Sequence, residues 1–159
     1  MEIILKTAVM ANCEEIHGMQ IKAFGALFDK YRDVNTSPAA ESLEIIIERM
    51  EQDFTDYYLI LLNETKIGAI RVVRPGNRVC RISPMFILPE YQGKGYAQQA
   101  ILLAESLYPE AKQWTLDTIK QEKMLCHLYE KMGYVPTGKE EKIQDGMDIV
   151  YYVKQVVLR

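Results

Sequence analysis

The segment Gln92-Gly93-Lys94-Gly95-Tyr96-Ala97 sets two glycines and a lysine between two apolar runs. The run before it, Ile82 to Leu88, reads as a buried strand. The run after it puts Ala97, Ala100, Ile101, Ala104 and Leu107 on one face at helical spacing. A turn that feeds a helix leaves backbone N–H groups unpaired at the positive end of the helix dipole, and such a place attracts phosphate. Gly93 and Gly95 let the backbone bend and approach an anion with no Cβ in the way. Two familiar phosphate loops do not fit. A Walker loop carries Lys and then Ser or Thr after its second glycine, and the dinucleotide fingerprint needs a third glycine where this chain has Gln98. The plain alternative is an ordinary strand–turn–helix with a tight glycine turn.

The elements that must hold this turn follow from the pattern along the chain. Ile3–Val9 reads as a strand. Asn12 is placed to cap a helix that starts near Cys13 and carries Ile16, Met19, Ile21 and Phe24. Tyr31–Pro38 reads as a loop, and Glu41 opens a second helix with Leu43, Ile46, Ile47 and Met50. Tyr57–Leu62 and Ile67–Val73 are strands joined by Asn63-Glu64-Thr65-Lys66 as a hairpin. Pro75-Gly76-Asn77 is a turn, and Val79–Leu88 a long strand. Pro109 breaks the helix after the glycine turn. Gln113–Asp117 is a short strand, and a helix over about Glu122–Met132 stops at Gly133. Tyr134–Thr137 and Asp148–Val156 are final strands with a Gly138–Gly146 connection. This mixed order predicts an α/β fold, a central sheet with helices on both faces. No repeat or linker interrupts it, so one domain over 1–159 is expected.

The 159 residues suit one domain with a proper core. The formal net charge of −3 argues against bulk attraction to nucleic acid. Lys94, Lys120 and Lys123 still allow a local basic spot. Cys13, Cys80 and Cys126 are odd in number and lack metal-ligand spacing, which suggests free thiols in a reducing compartment. No C-x-x-C or H-E-x-x-H occurs, so no metal is expected. No leader pattern and no membrane-length apolar run is read, and the expectation is a soluble, cytoplasmic protein without membrane partners.

After Leu88-Pro89-Glu90-Tyr91, the pattern Gln92-x-x-Gly95-x-Ala97 resembles the acetyl-CoA pyrophosphate motif of the GNAT superfamily of N-acetyltransferases. Leu128-Tyr129-Glu130-Lys131-Met132-Gly133-Tyr134 resembles a second segment of that superfamily, about thirty residues on with a strand between. The element order matches from the first strand nearly to the last residue, although the first half matches by layout alone. The resemblance implies a mostly antiparallel, twisted sheet and an acetyl-CoA cosubstrate. It places the cofactor on Phe86, Ile87, Leu88, Gln92, Gly93, Lys94, Gly95, Tyr96 and Ala97. In relatives the strand ending at Ile87–Leu88 splays from its neighbour, and its free backbone groups pair with the pantetheine arm like an added strand. An amide near Ile87 would polarise the thioester carbonyl.

The implied reaction moves an acetyl group from a thioester to a primary amine by direct attack. The resemblance makes Tyr129 the group that meets the departing thiolate. A phenol with a reference pKa near ~10 is protonated at neutral pH and gives a hydrogen bond to a thiolate whose thiol titrates near ~8.5. A packing role for Tyr129 is the alternative. Reaching the neutral form of an alkylamine at pH 7 costs roughly 4–5 kcal/mol, and a carboxylate acting through water would help. Asp117, at its strand end, and Glu122, at the next helix start, are the candidates. Each has a plain alternative: Asp117 as a strand-end turn residue, Glu122 as a partner of the helix dipole. Many relatives carry an Asn shortly after this strand. Thr118–Leu125 has none, which leaves Gln121 or Glu122 as substitutes. His17, His127 and Cys126 lie outside matched positions and read as surface or packing residues.

Between Asp29 and Asp56 eight acids outnumber Lys30, Arg32 and Arg49. This suits a cationic amine acceptor, or simply a solvated helix face. Tyr31, Tyr57 and Tyr58 are open to an aromatic wall or to plain packing. Three functions stay open: an acetyltransferase for small amines or peptides, a protein acetyltransferase, and a non-catalytic acyl-CoA sensor on the same fold. A homodimer is compatible with each.

Overall fold

A computed structural model describes residues 2–157; the expected domain span also includes Met1, Leu158 and Arg159, which lie outside the described residues. The elements run β1 (Ile3–Thr7), α1 (Cys13–Tyr31), α2 (Leu43–Glu51), β2 (Thr55–Leu62), β3 (Thr65–Gly76), β4 (Val79–Ile87), α3 (Tyr96–Ser106), β5 (Gln113–Ile119), α4 (Lys123–Lys131), β6 (Val135–Gln144) and β7 (Met147–Gln155). Seven strands form one sheet in the order β1-β2-β3-β4-β5-β7-β6. Every pairing is antiparallel except β4 with β5. The mixed α/β architecture expected from the pattern is therefore present. No helix among the described residues is long and apolar enough to cross a membrane.

Strand alternation sends side chains to two layers. Ile60, Ile70, Val72, Ile82, Ile87, Trp114 and Leu116 pack with Ala100, Ile101 and Ala104 of α3 and Tyr129 of α4. Tyr57 and Leu59 pack with Cys13 and Ile16 of α1 and Ile46 of α2 on the other layer. Trp114, 1 % exposed, centres the larger cluster. Burying one such large side chain stabilises the fold by about 1.5–3 kcal/mol. On α1 the buried stripe is Cys13, Ile16, Gln20 and Tyr31; Ile21, expected on it, is 42 % exposed.

Several local expectations shift. Asn12 ends a short 3-10 turn and does not cap α1 with its side chain. Its Oδ1 accepts from Val9 N–H, and its amide donates to Glu15. The second helix starts at Leu43 with Ser42 before it, while Glu41 is drawn into a bidentate pair with Arg49. The β3–β4 turn is Asn77-Arg78, both at positive φ (57° and 60°). Pro75 and Gly76 belong to β3. The Gly138–Gly146 connection is largely strand: β6 runs to Gln144, with a register shift between Pro136 and Glu140. Gly138 sits in that shift at φ 93°. An edge strand with charged, exposed residues shows no apolar alternation, which hid it in the sequence.

One glycine is fixed by sterics. A Cβ at Gly68 would sit 2.1 Å from the Phe86 carbonyl oxygen and 3.1 Å from Ile87 Cα. The backbones of β3 and β4 approach too closely there for any side chain. Gly68→Ala is expected to push β4 outward and cost about 1–3 kcal/mol, as overpacking does. Thermal denaturation checks this; an unchanged midpoint would show that β4 yields without loss.

Candidate active site

β4 and β5 pair only at Val79–Arg81 with Gln113–Thr115. Both strands continue, β4 to Ile87 and β5 to Ile119, with no further pairing between them. β4 stays on β3, so its other edge opens into a fork. Leu88 N–H donates to Ile67 C=O on the β3 side at 2.7 Å. Alternation in an antiparallel ladder then turns the N–H and C=O of Ile87 toward the fork. Gln92 Nε2 donates to that Ile87 carbonyl at 2.8 Å, while the Ile87 N–H faces the opening. The side chains of Phe86 and Ile87 are buried. Phe86 packs edge-on to Phe24 of α1, ring centroids 5.8 Å apart. The main chain of Phe86–Leu88 thus edges the fork and the side chains anchor it.

The glycine turn closes one end. Gly93 (φ 77°) and Gly95 (φ 83°) both take left-handed dihedrals, and a Cβ at either would meet nothing within 4 Å. Gly95 is the N-cap of α3 and no side chain caps that helix. The N–H groups of Gly95, Tyr96, Ala97 and Gln98 find no acceptor among the described residues; Gln99 N–H is the first to do so, at Gly95 O. Lys94 Nζ lies 5.9 Å from the Tyr91 ring centroid. Unpaired donors, an exposed cation, a helix N-terminus and open space together fit a pyrophosphate.

Tyr129 of α4 belongs to the same buried cluster as Ile82 and Ile87 on one bank and Leu116 on the other. Its ring is 6.4 Å from those of Tyr134 and Tyr152. Those two phenols donate to Glu105 and Glu130. The Tyr129 hydroxyl has no acceptor among the described residues and is free to donate. Burial, aided by Asp117 and Cys126, pushes its pKa up to about 12.

The two candidate bases are already engaged. On β5, Trp114, Leu116 and Thr118 are buried and Asp117 faces the other side of the sheet, where Arg81 Nη2 pairs with it at 2.8 Å. Glu122, just before α4, accepts from Lys30 Nζ at 2.7 Å and from the Tyr31 hydroxyl. Lys30 and Tyr31 hold its carboxyl below the usual carboxylate range, which weakens it as a base. Gln121 is exchanged with Asp148 of β7 through two hydrogen bonds, so its side chain is not free for a cofactor. His17 contacts the Glu41 carbonyl. His127 lines a hollow of about 390 Å³ with Lys123 and Pro136, on the β6 side of α4. Cys126 is half-buried, as expected.

The acidic excess is partly spent internally. Glu41 is paired with Arg49 and Asp56 with Arg74, while Glu44, Glu48, Glu51 and Asp53 are exposed. Tyr57 and Tyr58 pack on opposite layers, so they make no common wall. Sequence reasoning missed Gly68, Arg71, Arg81 and Lys30. Each acts between elements: Gly68 and Arg71 of β3 on β4, Arg81 of β4 on β5, and Lys30 of α1 on Glu122 before α4.

The family description "Acetyltransferase (GNAT) domain" matches residues 30–156. The chain belongs to the GNAT acetyltransferase family. Among solved structures it is similar to spermidine N-acetyltransferase from Vibrio cholerae in complex with CoA and spermine, at 18% identity and TM-score 0.77, covering 97% of this chain and 95% of that one. It is similar to the ribosomal-protein-S18-alanine N-acetyltransferase from Escherichia coli, at 10% identity and TM-score 0.79, covering 99% and 96%. PaiA N-acetyltransferase from Thermoplasma acidophilum, in complex with coenzyme A, gives 15% identity and TM-score 0.73, covering 98% and 100%. At such identities the likeness is one of fold. A comparison with curated proteins finds no match.

The Glu122 clasp has a pH signature. A carboxyl lowered in the folded state adds stability above its unfolded pKa of about 4.3, and that stability is lost as pH falls through the folded value. Glu122→Gln is expected to lower the melting temperature at pH 7, with the gap to wild type closing below about pH 4. Melting curves across pH check it; a gap that widens toward acid would reverse the assignment.

Proposed function

We propose that this chain is an acetyl-CoA-dependent N-acetyltransferase that acetylates a primary amine of a small molecule or peptide by direct attack. The fork between β4 and β5, closed by a donor-lined glycine turn, carries the reading. The turn from Gln92 to Ala97 takes the pyrophosphate, with Gly95, Tyr96, Ala97 and Gln98 donating and Lys94 adding charge. The opened edge of β4 takes the pantetheine arm, and the Ile87 N–H aims at the thioester carbonyl. The amine nitrogen bonds to the carbonyl carbon, its proton passes to water, and the C–S bond breaks. Tyr129 gives its hydrogen bond to the departing sulfur. Handing the proton over entirely would cost about 5 kcal/mol, given a phenol near 12 and a thiol near ~8.5. Tyr129 therefore stabilises the thiolate as a donor.

Of the two carboxylates we assign the water-relayed base to Asp117: it holds a single ion pair, with Arg81, and faces the α1 side of the sheet, whereas Glu122 is clasped by both Lys30 and Tyr31. The acceptor approaches on the α1 side of the sheet. There the end of α1 is tied to α4 through Glu122 and to β6 by the Gln144 amide donating to Tyr31 C=O at 2.6 Å. Those ties narrow the acceptor side and favour a compact amine over a folded chain. Spermine in one structural neighbour makes a cationic amine a natural first probe. Free thiols at Cys13, Cys80 and Cys126 favour a cytoplasmic setting.

Acetyl-CoA calorimetry followed by thiol release with a panel of amines tests the reading. Binding with amine-dependent release is expected; binding with no release would leave a sensor. Gly95→Leu, which fills the open approach and strains a φ of 83°, is expected to weaken CoA binding at least about tenfold. Unchanged affinity would remove the pyrophosphate from this turn. Tyr129→Phe is expected to lower kcat by about 10²-fold with CoA affinity changed less than about threefold. Since the phenol titrates near 12, the wild-type rate should rise with pH as the amine deprotonates and show no Tyr-linked fall below about pH 10.

A further inference from the structure

Arg71 is buried, 8 % exposed, in the middle of β3. No carboxylate lies in ion-pair range of it among the described residues. A guanidinium in that position is costly to bury, and a long apolar side chain would fill the same volume more cheaply. Burial, aided by the neighbouring Arg49, lowers its pKa to about 10, so it remains charged at neutral pH. What it does with that charge is specific. Nη1 donates to the Ser83 carbonyl at 2.8 Å, and Nη2 to Gln52 Oε1 at 3.1 Å. Gln52 is the C-cap of α2. The guanidinium carbon sits 6.0 Å from the Tyr57 ring centroid.

Ser83 stands where the ladder breaks. Val72 pairs with Ile82 and Ile70 with Met85, so Arg71 alone faces Ser83 and Pro84. This bulge lets Ile82 and Met85, three apart, both pack on the α3–α4 layer. Without it every side chain after Ile82 would change faces. Pro84 brings no N–H to the ladder. The last β4–β5 pair, Arg81 with Thr115, lies two residues before Ser83. Bulge and fork begin at the same place, and Arg71 is the side chain that grips it.

We propose that Arg71 is a positioning residue: its guanidinium holds the Ser83 carbonyl against β3 and so fixes the course of β4 along the fork. The proposal rests on the acetyltransferase reading for its effect on turnover, though not for its effect on the strand. The pyrophosphate turn, Gln92 to Ala97, lies beyond the far end of β4 and keeps its own donors. Loss of Arg71 therefore loosens the segment that carries the Ile87 amide while leaving most cofactor contacts in place. Lysine keeps the charge but lacks the planar fork whose two nitrogens reach Ser83 and Gln52 in fixed, separate directions.

Amide hydrogen exchange of the ligand-free protein tests the strand, and kinetics test the consequence. In Arg71→Met, the Phe86 and Leu88 amides, which face β3, are expected to exchange at least about tenfold faster, with β5 and β7 amides unchanged. Turnover at saturating acetyl-CoA should fall at least about tenfold, with CoA affinity within about threefold of wild type. Arg71→Lys should lie between, and it decides the matter if Arg71→Met does not fold. Unchanged exchange at Phe86 and Leu88, or an equal rise throughout β5 and β7, would overturn the proposal. Faster exchange confined to β4 in a protein whose wild type transfers no acetyl would sink the acetyltransferase reading and leave the positioning role standing.

Discussion

The structure turns on the point where β5 stops pairing with β4. Beyond Arg81 and Thr115 the outer edge of β4 keeps its N–H and C=O groups but has no strand to meet them. An unpaired buried backbone group costs about 1–3 kcal/mol, so an open fork in the middle of a sheet must be wetted or filled. The protein fills part of it itself, with the Gln92 amide on the Ile87 carbonyl. The rest is an edge of the kind that accepts an extended, amide-bearing ligand by adding it as a strand. The glycine turn from Gln92 to Ala97 follows at one end of that edge.

Holding a strand in that course takes compensation on its other side. β4 has β3 as its sole continuous neighbour through the fork, and two residues of β3 secure it. Gly68 gives up a side chain so that the backbones can close at Phe86. Arg71 reaches across the bulge to the Ser83 carbonyl. On the far bank, β5 is secured by β7 along its whole length, from Gln113–Gln155 to Ile119–Ile149. The two banks thus belong to two antiparallel units whose strands, among the described residues, pair only at the base of the fork. Tyr129 packs in the cluster that draws side chains from both banks.

The parts of this arrangement that were legible in the sequence are the local ones. Strand, glycine turn and helix from Ile82 to Leu107 are written in a contiguous run, because helix period, glycine and the preceding apolar stretch are all short-range signals. The Leu128–Tyr134 segment was legible for the same reason. What the sequence hid depends on pairing. β6 looked like a connection, since a charged edge strand supported by β7 alone needs no apolar alternation. Glu122 read as a candidate base or a partner of the helix dipole, and its actual partners Lys30 and Tyr31 lie 92 and 91 residues away. The acidic stretch from Asp29 to Asp56 read either as suited to a cationic amine or as a solvated helix face, and the pairing of Glu41 with Arg49 and of Asp56 with Arg74 appears only on folding. Gly68 falls inside the expected strand Ile67–Val73 with no local signal of its own, because its constraint comes from the Phe86 carbonyl of β4.

Those pairings bear on how the proposed reaction would draw its rate. Glu122 is lowered as a base and Asp117 is ion-paired, while Tyr129 sits near 12 and holds its proton. Neither Glu122 nor Tyr129 is tuned toward neutral pH, where general acid–base catalysis is most effective. The cost of presenting a neutral amine, roughly 4–5 kcal/mol at pH 7, must then be met mainly by geometry. Fixing the amine and the thioester in a near-attack arrangement can supply about 7–11 kcal/mol, which exceeds that cost. A site that works by placement tolerates modest acids and bases but not a loose strand. That is consistent with a fold that spends a buried arginine with no carboxylate partner among the described residues, and a glycine without room for a Cβ, on the course of β4, and leaves the two candidate carboxylates in ion pairs.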